Sequence, residues 1–403
     1  MAEKSEKRRA DPIPHHPVPT TVERFEDLGL SPAILERVRQ VGFEHPTPIQ
    51  AAVIPPALQG RDIIALAQTG SGKTAAFVIP LAEKYRTGSG LRGLIISPTR
   101  EIALQTQAFL DLFGKKAACL IGGVKMKPQM HALAEHPHFI VATPGRLLDH
   151  IQRRSVRVDT VEDLVLDEGD HMLDLGFLPQ VRQILARLPK KRRTMMFSAT
   201  MPPAIEELAR TMLHDPLRID ITPVGRAAVG ITHRLYVVAP ENKRPCLLAL
   251  LHQELGSTLV FTRRKVDAEW LYHILHRQGH PVTRIHSSQS QGKRVQALSN
   301  FREGSHRILV ATDIAGRGID VPGIEHVINF DLPENAEDYI HRGGRTARVD
   351  REGIVSSIVT WQDLMTVRQI EAALGHPIPR CTVAGVEPWI ERQKPPTRTR
   401  TRL

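Results

Sequence analysis

The chain has 403 residues, of which 41% are hydrophobic and 24% charged, which excludes a fibrous or wholly disordered protein and suits two or three globular domains. A formal net charge of +11 favours a polyanionic partner such as nucleic acid, although such a charge can also serve solubility alone. Cys119, Cys246 and Cys381 lie far apart without paired spacing, which argues against a disulfide framework or a zinc site.

The N-terminal stretch 1–20 lacks the apolar core of a secretory signal, and nowhere does the sequence run through the roughly 18 apolar residues that a membrane span needs. We therefore expect a soluble, cytoplasmic protein. The segments 1–20 and 387–403 are polar, basic and proline-rich, and we predict that both are disordered tails. The C-terminal tail could contact phosphates or could simply be a solvated end.

Short β-rich runs alternate with longer helical patterns along the chain. The first half contains DIIALAQ, LRGLIISPT, HFIVATP, DLVLDE and TMMFSAT, and the second half contains HRLYVVAP, STLVFT, PVTRIH, HRILVAT and EHVINFD. Strands that are apolar on both faces and separated by helices indicate parallel sheets with helices on both sides. The sequence predicts two α/β domains, 21–221 and 232–386, joined by a linker at 222–231 where Pro and Gly interrupt the pattern.

The first strand leads directly into AQTGSGKT, residues 67–74, and a helical pattern follows. Gly70 and Gly72 would allow backbone N–H groups to approach phosphate oxygens. Lys73 would bring a positive charge to the outer phosphates, and the Thr74 hydroxyl would hold Mg²⁺. Because the loop lies between a strand and a helix N-terminus, nucleotide binding is favoured over a glycine-rich turn with an incidental lysine.

The run LVLDEGD places three acids at the end of another strand. A phosphate loop needs an acid on a neighbouring strand to hold the metal's water shell and a further group to orient the attacking water. We expect Asp167 to face Mg²⁺ and Glu168 to act on the water as a general base. A solvated loop is the alternative, and the phosphate loop elsewhere in the chain argues against it.

Eight motifs follow one another along the chain. They are GFEHPTPIQ (42–50), AQTGSGKT (67–74), PTREIA (98–103), TPGR (143–146), DEGD (167–170), SAT (198–200), ATDIAGRGID (311–320) and HRGGRTAR (341–348). With this ordered set the chain resembles the DEAD-box RNA helicases. The resemblance implies an α/β fold of two RecA-like domains, each a mostly parallel sheet with helices on both faces, with ATP and Mg²⁺ as cofactors. The compact length and LGHPIPR are similar to the bacterial RhlE-like branch.

The resemblance also implies a nucleotide site. Gln50 would hydrogen-bond the adenine edge, Phe25 would stack near the base, and Asp320 would approach the ribose. Arg345 and Arg348, one turn apart if helical, would be arginine fingers at the γ-phosphate. The other residues expected to bind ATP are Thr69, Gly70, Ser71, Gly72, Lys73 and Thr74. The expected catalytic residues are Lys73, Asp167, Glu168, Arg345 and Arg348, and the expected metal ligands are Thr74 and, through water, Asp167.

Movement of the domains forms a further part of the implied mechanism. We hypothesise that ATP and RNA together close the two domains, which separates a few base pairs, and that hydrolysis with phosphate release reopens them. The residues expected to couple the nucleotide site to this movement are Asp170, Ser198, Thr200, His341 and Arg342.

By the same resemblance, RNA would contact loops on the other side of the cleft. Backbone N–H groups, hydroxyls and arginines suit phosphates and sugars, so binding should be largely independent of sequence. Aromatic residues make up only 4% of the chain, which argues against an extensive base-stacking platform. The expected RNA-binding residues are Pro98, Thr99, Arg100, Gly122, Gly123, Thr143, Pro144, Gly145, Arg146, Arg263, Arg294, Thr312 and Gly316.

The function implied is that of a monomeric RNA helicase whose ATP hydrolysis is stimulated by RNA and which remodels RNA duplexes or ribonucleoproteins. A DNA translocase with the same motor is one alternative, which ATPase stimulation by DNA but not RNA would favour. An RNA-binding or annealing protein with a weakened ATPase is another, and the presence of the catalytic set argues against it. Gly169 replaces the alanine of the family's Asp-Glu-Ala-Asp, and we predict a more mobile acidic loop, at a cost of roughly 0.5–1 kcal/mol in a helix.

Overall fold

The computed structural model describes residues 22–68, 70–85, 90–221, 230–313, 323–346 and 353–389. The chain divides into two compact units, Met1–Thr222 and Pro223–Leu403. Four of the expected site residues lie outside the described residues, as do most of the expected linker and of both expected tails. These four are Thr69, Gly316, Asp320 and Arg348.

The first unit is built on a seven-stranded sheet in which every pairing is parallel. Its strands are β1 (Ile63–Leu66), β2 (Gly93–Ile96), β3 (Ala117–Leu120), β4 (Phe139–Ala142), β5 (Asp163–Leu166), β6 (Arg193–Ser198) and β7 (Leu217–Asp220). Their order across the sheet is β3-β4-β2-β5-β6-β1-β7. Its helices are α1 (Pro32–Gln40), α2 (Pro48–Leu58), α3 (Lys73–Lys84), α4 (Arg100–Leu112), α5 (Met126–Ala134), α6 (Pro144–Gln152), α7 (Gly169–Asp174), α8 (Leu178–Leu185) and α9 (Pro203–Met212), with a 3₁₀ helix at Phe25–Leu28.

Helices cover both faces of this sheet, and its central strands β2, β5, β6 and β1 are buried at every position. In β1 the side chains of Ile63 and Ala65 join one hydrophobic cluster, while Ile64 and Leu66 join another. Successive side chains of a strand point to opposite faces, so each face has its own core. All four of these residues are at most 4% exposed.

The second unit repeats this plan with a six-stranded parallel sheet in the order β10-β11-β9-β12-β13-β8. Its strands are β8 (Ile231–Val237), β9 (Thr258–Thr262), β10 (Val282–Ile285), β11 (Ile308–Thr312), β12 (His326–Asn329) and β13 (Gly353–Val359). Its described helices are α10 (Lys243–Gln253), α11 (Lys265–Arg277), α12 (Gln291–Arg302), α13 (Ala336–Gly343) and α14 (Leu364–Leu374), with 3₁₀ turns at Pro240–Asn242 and Trp361–Asp363.

The predicted α/β fold with two parallel-sheet domains is confirmed, and every predicted run overlaps a strand. Three further strands, β3, β7 and β13, lie outside those runs. The division between the units falls at Thr222 and Pro223, and β8 begins at Ile231, one residue earlier than the expected second domain. Among the described helices, none combines the length and apolarity needed to cross a bilayer. In each sheet the strands' carboxyl ends share one edge, where ligands of such folds bind.

Candidate nucleotide and nucleic-acid sites

The loop between β1 and α3 has the backbone that a phosphate cradle requires. Gly70 and Gly72 both have positive φ angles, 82° and 94°, which only glycine adopts without strain. Lys73 is the first residue of α3 and is 7% exposed. Its Nζ donates a hydrogen bond to Ala67 O at 2.8 Å, so the ammonium group lies over the loop. The charge that would meet phosphate is therefore held at the loop by the loop's own backbone.

Gln50 joins this loop to the N-terminus of α2. Its Oε1 accepts from Thr47 N at 3.0 Å, which completes a capping box, and its Nε2 donates to Gly72 O at 3.3 Å. A Cβ atom on Gly72 would lie 2.5 Å from Gln50 Nε2, so the close approach also requires glycine here. The amide thus sits against the phosphate loop, and its contact with adenine stays a prediction.

Phe25 lies in the 3₁₀ helix before α1 and is only 2% exposed. Its ring stacks on Phe43, with centroids 6.2 Å apart and an interplanar angle of 13°. This face of Phe25 therefore packs with the protein core, and stacking on a base stays a prediction. Phe25 and Phe43 both precede α2, and nothing in the sequence around them distinguishes a core ring from a ring that stacks on a base.

Asp167 follows β5 and is 3% exposed. Burial, and then the charge of Glu168, raise the pKa of Asp167 to about 7, whereas the charge of Lys73 opposes this rise. A buried carboxylate flanked by further acids suits a divalent cation, and Thr74 offers a hydroxyl on the first turn of α3. These residues fit Mg²⁺, which when bound would neutralise charge on the nucleotide's phosphates.

Glu168 has a left-handed backbone, with φ of 51° and ψ of 60°, and it is the N-cap residue of α7. Such a conformation is uncommon for a residue with a side chain and is found at functional sites. Its Oε2 lies 3.1 Å from Nδ1 of His171, a contact that the sequence did not indicate. The strand end therefore turns sharply into a short helix that carries the remaining acid.

Asp170 links α7 to the residues that follow β6. Its Oδ2 accepts from Ala199 N at 3.0 Å, from Thr200 N at 2.8 Å and from Thr200 Oγ1 at 3.0 Å. In return, Ser198 Oγ accepts from Asp170 N at 3.0 Å. The structure thus brings Asp170, Ser198 and Thr200 together into one hydrogen-bonded junction.

Arg342 anchors α13 within the second unit. It is 2% exposed, and its Nε and Nη2 donate to the two carboxylate oxygens of Asp313 at 2.6 and 2.8 Å. Its Nη1 donates to Asn329 Oδ1 and to Asp331 O, both at 2.7 Å, and its guanidinium lies 4.7 Å from the Phe261 ring centroid. The guanidinium is thus fixed by residues of its own unit, and the coupling role expected for Arg342 stays a prediction.

Two other expected site residues of this motif are described. His341 is half-buried on α13, and Arg345 is 4% exposed just after that helix. The spacing of one turn was conditional on a helix, and Arg345 lies beyond it, because α13 ends at Gly343 and Gly344 is its C-cap. Two consecutive glycines have low helix propensity, so the chain leaves the helix before the arginine. The finger role of Arg345 stays a prediction.

The guanidinium of Arg100 occupies the space that side chains at Gly122 and Gly123 would need. A Cβ atom on Gly123 would lie 2.0 Å from Arg100 Nη1, and one on Gly122 would lie 3.4 Å from its Nη2. The guanidinium therefore packs over bare backbone. Thr99, which follows Pro98, caps α4 by accepting from Ile102 N at 3.3 Å. The structure thus brings the predicted residues 98–100 and 122–123 together on one side of the sheet edge.

Arg146 reaches the same loop from α6. Its Nη1 donates to Val124 O at 2.9 Å. Thr143 is the N-cap of α6, Pro144 is its first residue, and Gly145 has open space where a Cβ would be. Backbone N–H groups at such a helix N-terminus suit a phosphate.

Gln129 holds this loop and was not predicted. The side chain is 4% exposed; its Oε1 accepts from Ile121 N at 3.1 Å. Its Nε2 donates to Ile121 O at 3.2 Å and to Lys125 O at 3.2 Å. One amide therefore fixes both ends of the segment that carries the glycine pair. No residue pattern marks this role, because a glutamine on an amphipathic helix normally faces solvent.

In the second unit the expected RNA-binding residues differ in exposure. Arg263 is exposed; its backbone N donates to Asp331 Oδ2 at 3.1 Å and its Nη2 to Leu332 O at 3.3 Å. Arg294 on α12 is 6% exposed, and Thr312 at the end of β11 is 8% exposed. Arg263 is thus the most accessible of the three, and direct contact with RNA stays a prediction for all of them.

Each of the two units matches a known protein family. The family described as DEAD/DEAH box helicase matches residues 47–208, and the family described as Helicase conserved C-terminal domain matches residues 242–350. The ATP-dependent rRNA helicase RRP3 of Gibberella zeae is 42% identical over 359 residues, which cover 87% of this chain and 74% of that protein. The DEAD-box ATP-dependent RNA helicase CshA of Bacillus cereus is 40% identical over 376 residues, covering 92% of this chain and 72% of that protein.

Solved structures agree with these relatives. Saccharomyces cerevisiae Dbp5 bound to RNA and ADP BeF3 has a TM-score of 0.81 at 28% identity, over 89% of this chain and 95% of that chain. Mss116p bound to ssRNA and AMP-PNP has a TM-score of 0.81 at 26% identity, over 88% of this chain and 78% of that chain. The two parallel-sheet units therefore match the RecA-like domains of those structures.

Proposed function

The chain belongs to the DEAD-box family of ATP-dependent RNA helicases, and we propose that RNA stimulates its ATP hydrolysis, which drives local unwinding or remodelling of RNA duplexes or ribonucleoproteins. The observation that carries this proposal is the junction of Asp170 with Ser198 and Thr200. These hydrogen bonds connect the acidic loop after β5, whose acids would act on ATP, to the end of the neighbouring strand β6. A change at the nucleotide is thereby passed to other elements of the fold.

Within the first unit, three groups would divide the chemistry. Lys73, held over the phosphate loop, would stabilise negative charge on the outer phosphates. Thr74 and Asp167 would hold Mg²⁺. Glu168 would orient the attacking water and accept its proton as general base.

RNA would bind through the loop that Arg100, Arg146 and Gln129 support. Guanidinium groups and exposed backbone recognise phosphates and sugars, so we propose binding that is largely independent of sequence. The net charge of +11 adds a long-range attraction to any polyanion. We further propose a cytoplasmic monomer, and membership of the RhlE-like branch stays a prediction.

The nucleic acid that stimulates ATP turnover distinguishes an RNA helicase from a DNA translocase and from an RNA-binding or annealing protein. The experiment compares ATP hydrolysis with single-stranded RNA and with DNA of the same sequence, and follows separation of a short labelled RNA duplex. Stimulation by RNA with ATP-dependent strand separation supports the proposal. Stimulation by DNA alone would indicate a translocase, and RNA annealing without ATP turnover would indicate a binding protein whose ATPase has weakened.

A further inference from the structure

Glu168 occupies the N-cap position of α7, yet its carboxylate does not cap the helix. An N-cap side chain normally accepts from the backbone N–H two or three residues later. Here those two N–H groups have other acceptors: Asp170 N donates to Ser198 Oγ at 3.0 Å, and His171 N donates to Asp170 Oδ1 at 2.9 Å. The carboxylate of Glu168 therefore accepts from neither of these two N–H groups.

The imidazole of His171 meets that carboxylate instead. Its Nδ1 lies 3.1 Å from Glu168 Oε2, and the two side chains are 5% and 14% exposed. A carboxylate only accepts hydrogen bonds, so Nδ1 carries the proton and donates. Nε2 of His171 is buried and has no hydrogen-bond partner among the described residues, so the contact with Glu168 is the one that orients the ring.

We propose that His171 is a positioning residue for Glu168: the Nδ1–H group of His171 fixes the carboxylate of the general base. A general base must meet the attacking water within hydrogen-bond reach, and a small loss of alignment reduces the rate strongly. The N–H groups that an N-cap side chain usually binds have other acceptors, and Nδ1 of His171 lies 3.1 Å from Oε2 of Glu168. This inference rests on the proposed function of Glu168.

The test measures RNA-stimulated ATP turnover by the full chain with five single variants, one of them Glu168→Gln, and with the double variant Glu168→Gln/His171→Leu. His171→Leu removes the donor. His171→Asn places an amide near the position of Nδ1, whereas His171→Gln places it near Nε2. His150→Leu is the matched control, because His150 is also a buried imidazole of the first unit. Its Nδ1 lies 2.7 Å from Oγ of Ser155, in the loop after α6 and away from Glu168 in the sequence.

We expect His171→Leu to lower kcat about tenfold, as for one hydrogen bond to a charged group, while KM for ATP stays within about twofold. His171→Asn should retain at least about a third of the wild-type kcat and exceed His171→Gln, and His150→Leu should leave kcat unchanged. In a Glu168→Gln background, His171→Leu should change the residual rate by less than about twofold, because its effect passes through Glu168.

The outcomes separate this inference from the proposed function. A wild-type rate that RNA does not stimulate contradicts the proposed function and removes the inference with it. With a normal wild type, an unchanged His171→Leu, or an equal loss in the Glu168→Gln background, overturns the inference alone. If His171→Leu does not fold, equal kcat values for His171→Asn and His171→Gln overturn it as well.

Discussion

Asp170 Oδ2 accepts hydrogen bonds from both the backbone N–H and the hydroxyl of Thr200, at 2.8 and 3.0 Å. Hydrogen bonds to an ionised acceptor are stronger than those between neutral groups. Since Asp170 lies three residues after Asp167 and Thr200 follows β6, this pair joins the acidic loop to the next strand of the sheet. Displacement of α7 must therefore carry residues 198–200 with it or break these bonds.

The hydroxyl of Thr200 can be removed without changing the side chain's shape. We expect Thr200→Val to reduce duplex separation more than ATP hydrolysis, because the backbone N–H still holds Asp170 while one link between the two elements is lost. The ratio of base pairs separated to ATP hydrolysed should fall about threefold or more, in line with about 1 kcal/mol for one hydrogen bond. Thr211→Val is the control, since Thr211 Oγ1 donates only to Leu208 O of its own helix. Equal effects of the two variants on this ratio would contradict the coupling role of Thr200.

Gly169 has room for the alanine of the family sequence. An added Cβ would lie 3.7 Å from Ile205 Cγ2, 3.7 Å from Ser198 Oγ and 3.8 Å from Phe197 O, which are ordinary contact distances. We expect Gly169→Ala to raise the free energy of unfolding by about 0.5–1 kcal/mol through a less flexible unfolded chain, with slower hydrogen exchange in α7. ATP turnover should stay within about twofold of wild type, as no polar contact changes. A large gain in turnover would show instead that the glycine impairs the site.

The guanidinium of Arg100 packs against Gly123, where no Cβ atom is present. Gly123→Ala would bring a Cβ within 2.0 Å of Arg100 Nη1, so the guanidinium must move. We expect about tenfold weaker RNA binding, in keeping with one displaced charged contact, and an unchanged affinity for ATP. Gly176→Ala is the matched control, because Gly176 has a similar φ, 70° against 73°, but no heavy atom near the added Cβ. RNA affinity measured by fluorescence anisotropy should separate the two variants; an equal loss in both would trace the effect to backbone strain.

Two buried histidines make the second unit sensitive to acid. Burial lowers the pKa of His326 to about 4 and, together with His376, that of His233 to about 4. Both would titrate near 6.5 in the unfolded chain, so between pH 6.5 and 4 only the unfolded state binds the protons. The free energy of unfolding should therefore be unaffected by these groups above pH 6.5 and fall by up to about 3 kcal/mol per histidine as the pH approaches 4.

Tryptophan fluorescence reports this effect selectively, since Trp270, Trp361 and Trp389 all belong to the second unit. Urea unfolding at pH 7 and pH 4.5 should show a lower midpoint in acid. His326→Gln keeps an amide near Nε2, which lies 2.8 Å from Ser356 Oγ, and should reduce the pH dependence. A pH dependence that is the same in this variant would contradict the assignment.

The sequence predicted those parts of the fold that depend on neighbouring residues. Strands that are apolar throughout were recognised, whereas β3 and β7 were missed because their side chains are only partly buried at the sheet's edges. Strand β13 was missed although it is buried, because Ser356 and Ser357 interrupt its apolar run; both serines have hydrogen-bond partners on β12.

In the candidate site, too, the sequence predicts what depends on neighbouring residues and misses what depends on residues far apart in the chain. The phosphate loop and the acids follow from local motifs, but the partners of Arg342 and the loop contacts of Gln129 depend on residues brought together by the fold. Asp313, for example, lies 29 positions before Arg342 in the chain. The pairing of His171 with Glu168 is close in sequence, yet no residue pattern marks the left-handed backbone of Glu168 or the occupied cap positions that accompany it.

We expect RNA-stimulated ATP hydrolysis to depend on Glu168. The most direct measurement compares ATP turnover with and without RNA for wild type and Glu168→Gln, which removes the base but keeps the size of the side chain. We expect RNA to accelerate the wild type and the variant to lose about 100-fold or more of the stimulated rate, as for a general base, while it still binds RNA. Wild-type turnover that RNA does not change, or a variant as active as the wild type, would contradict the account.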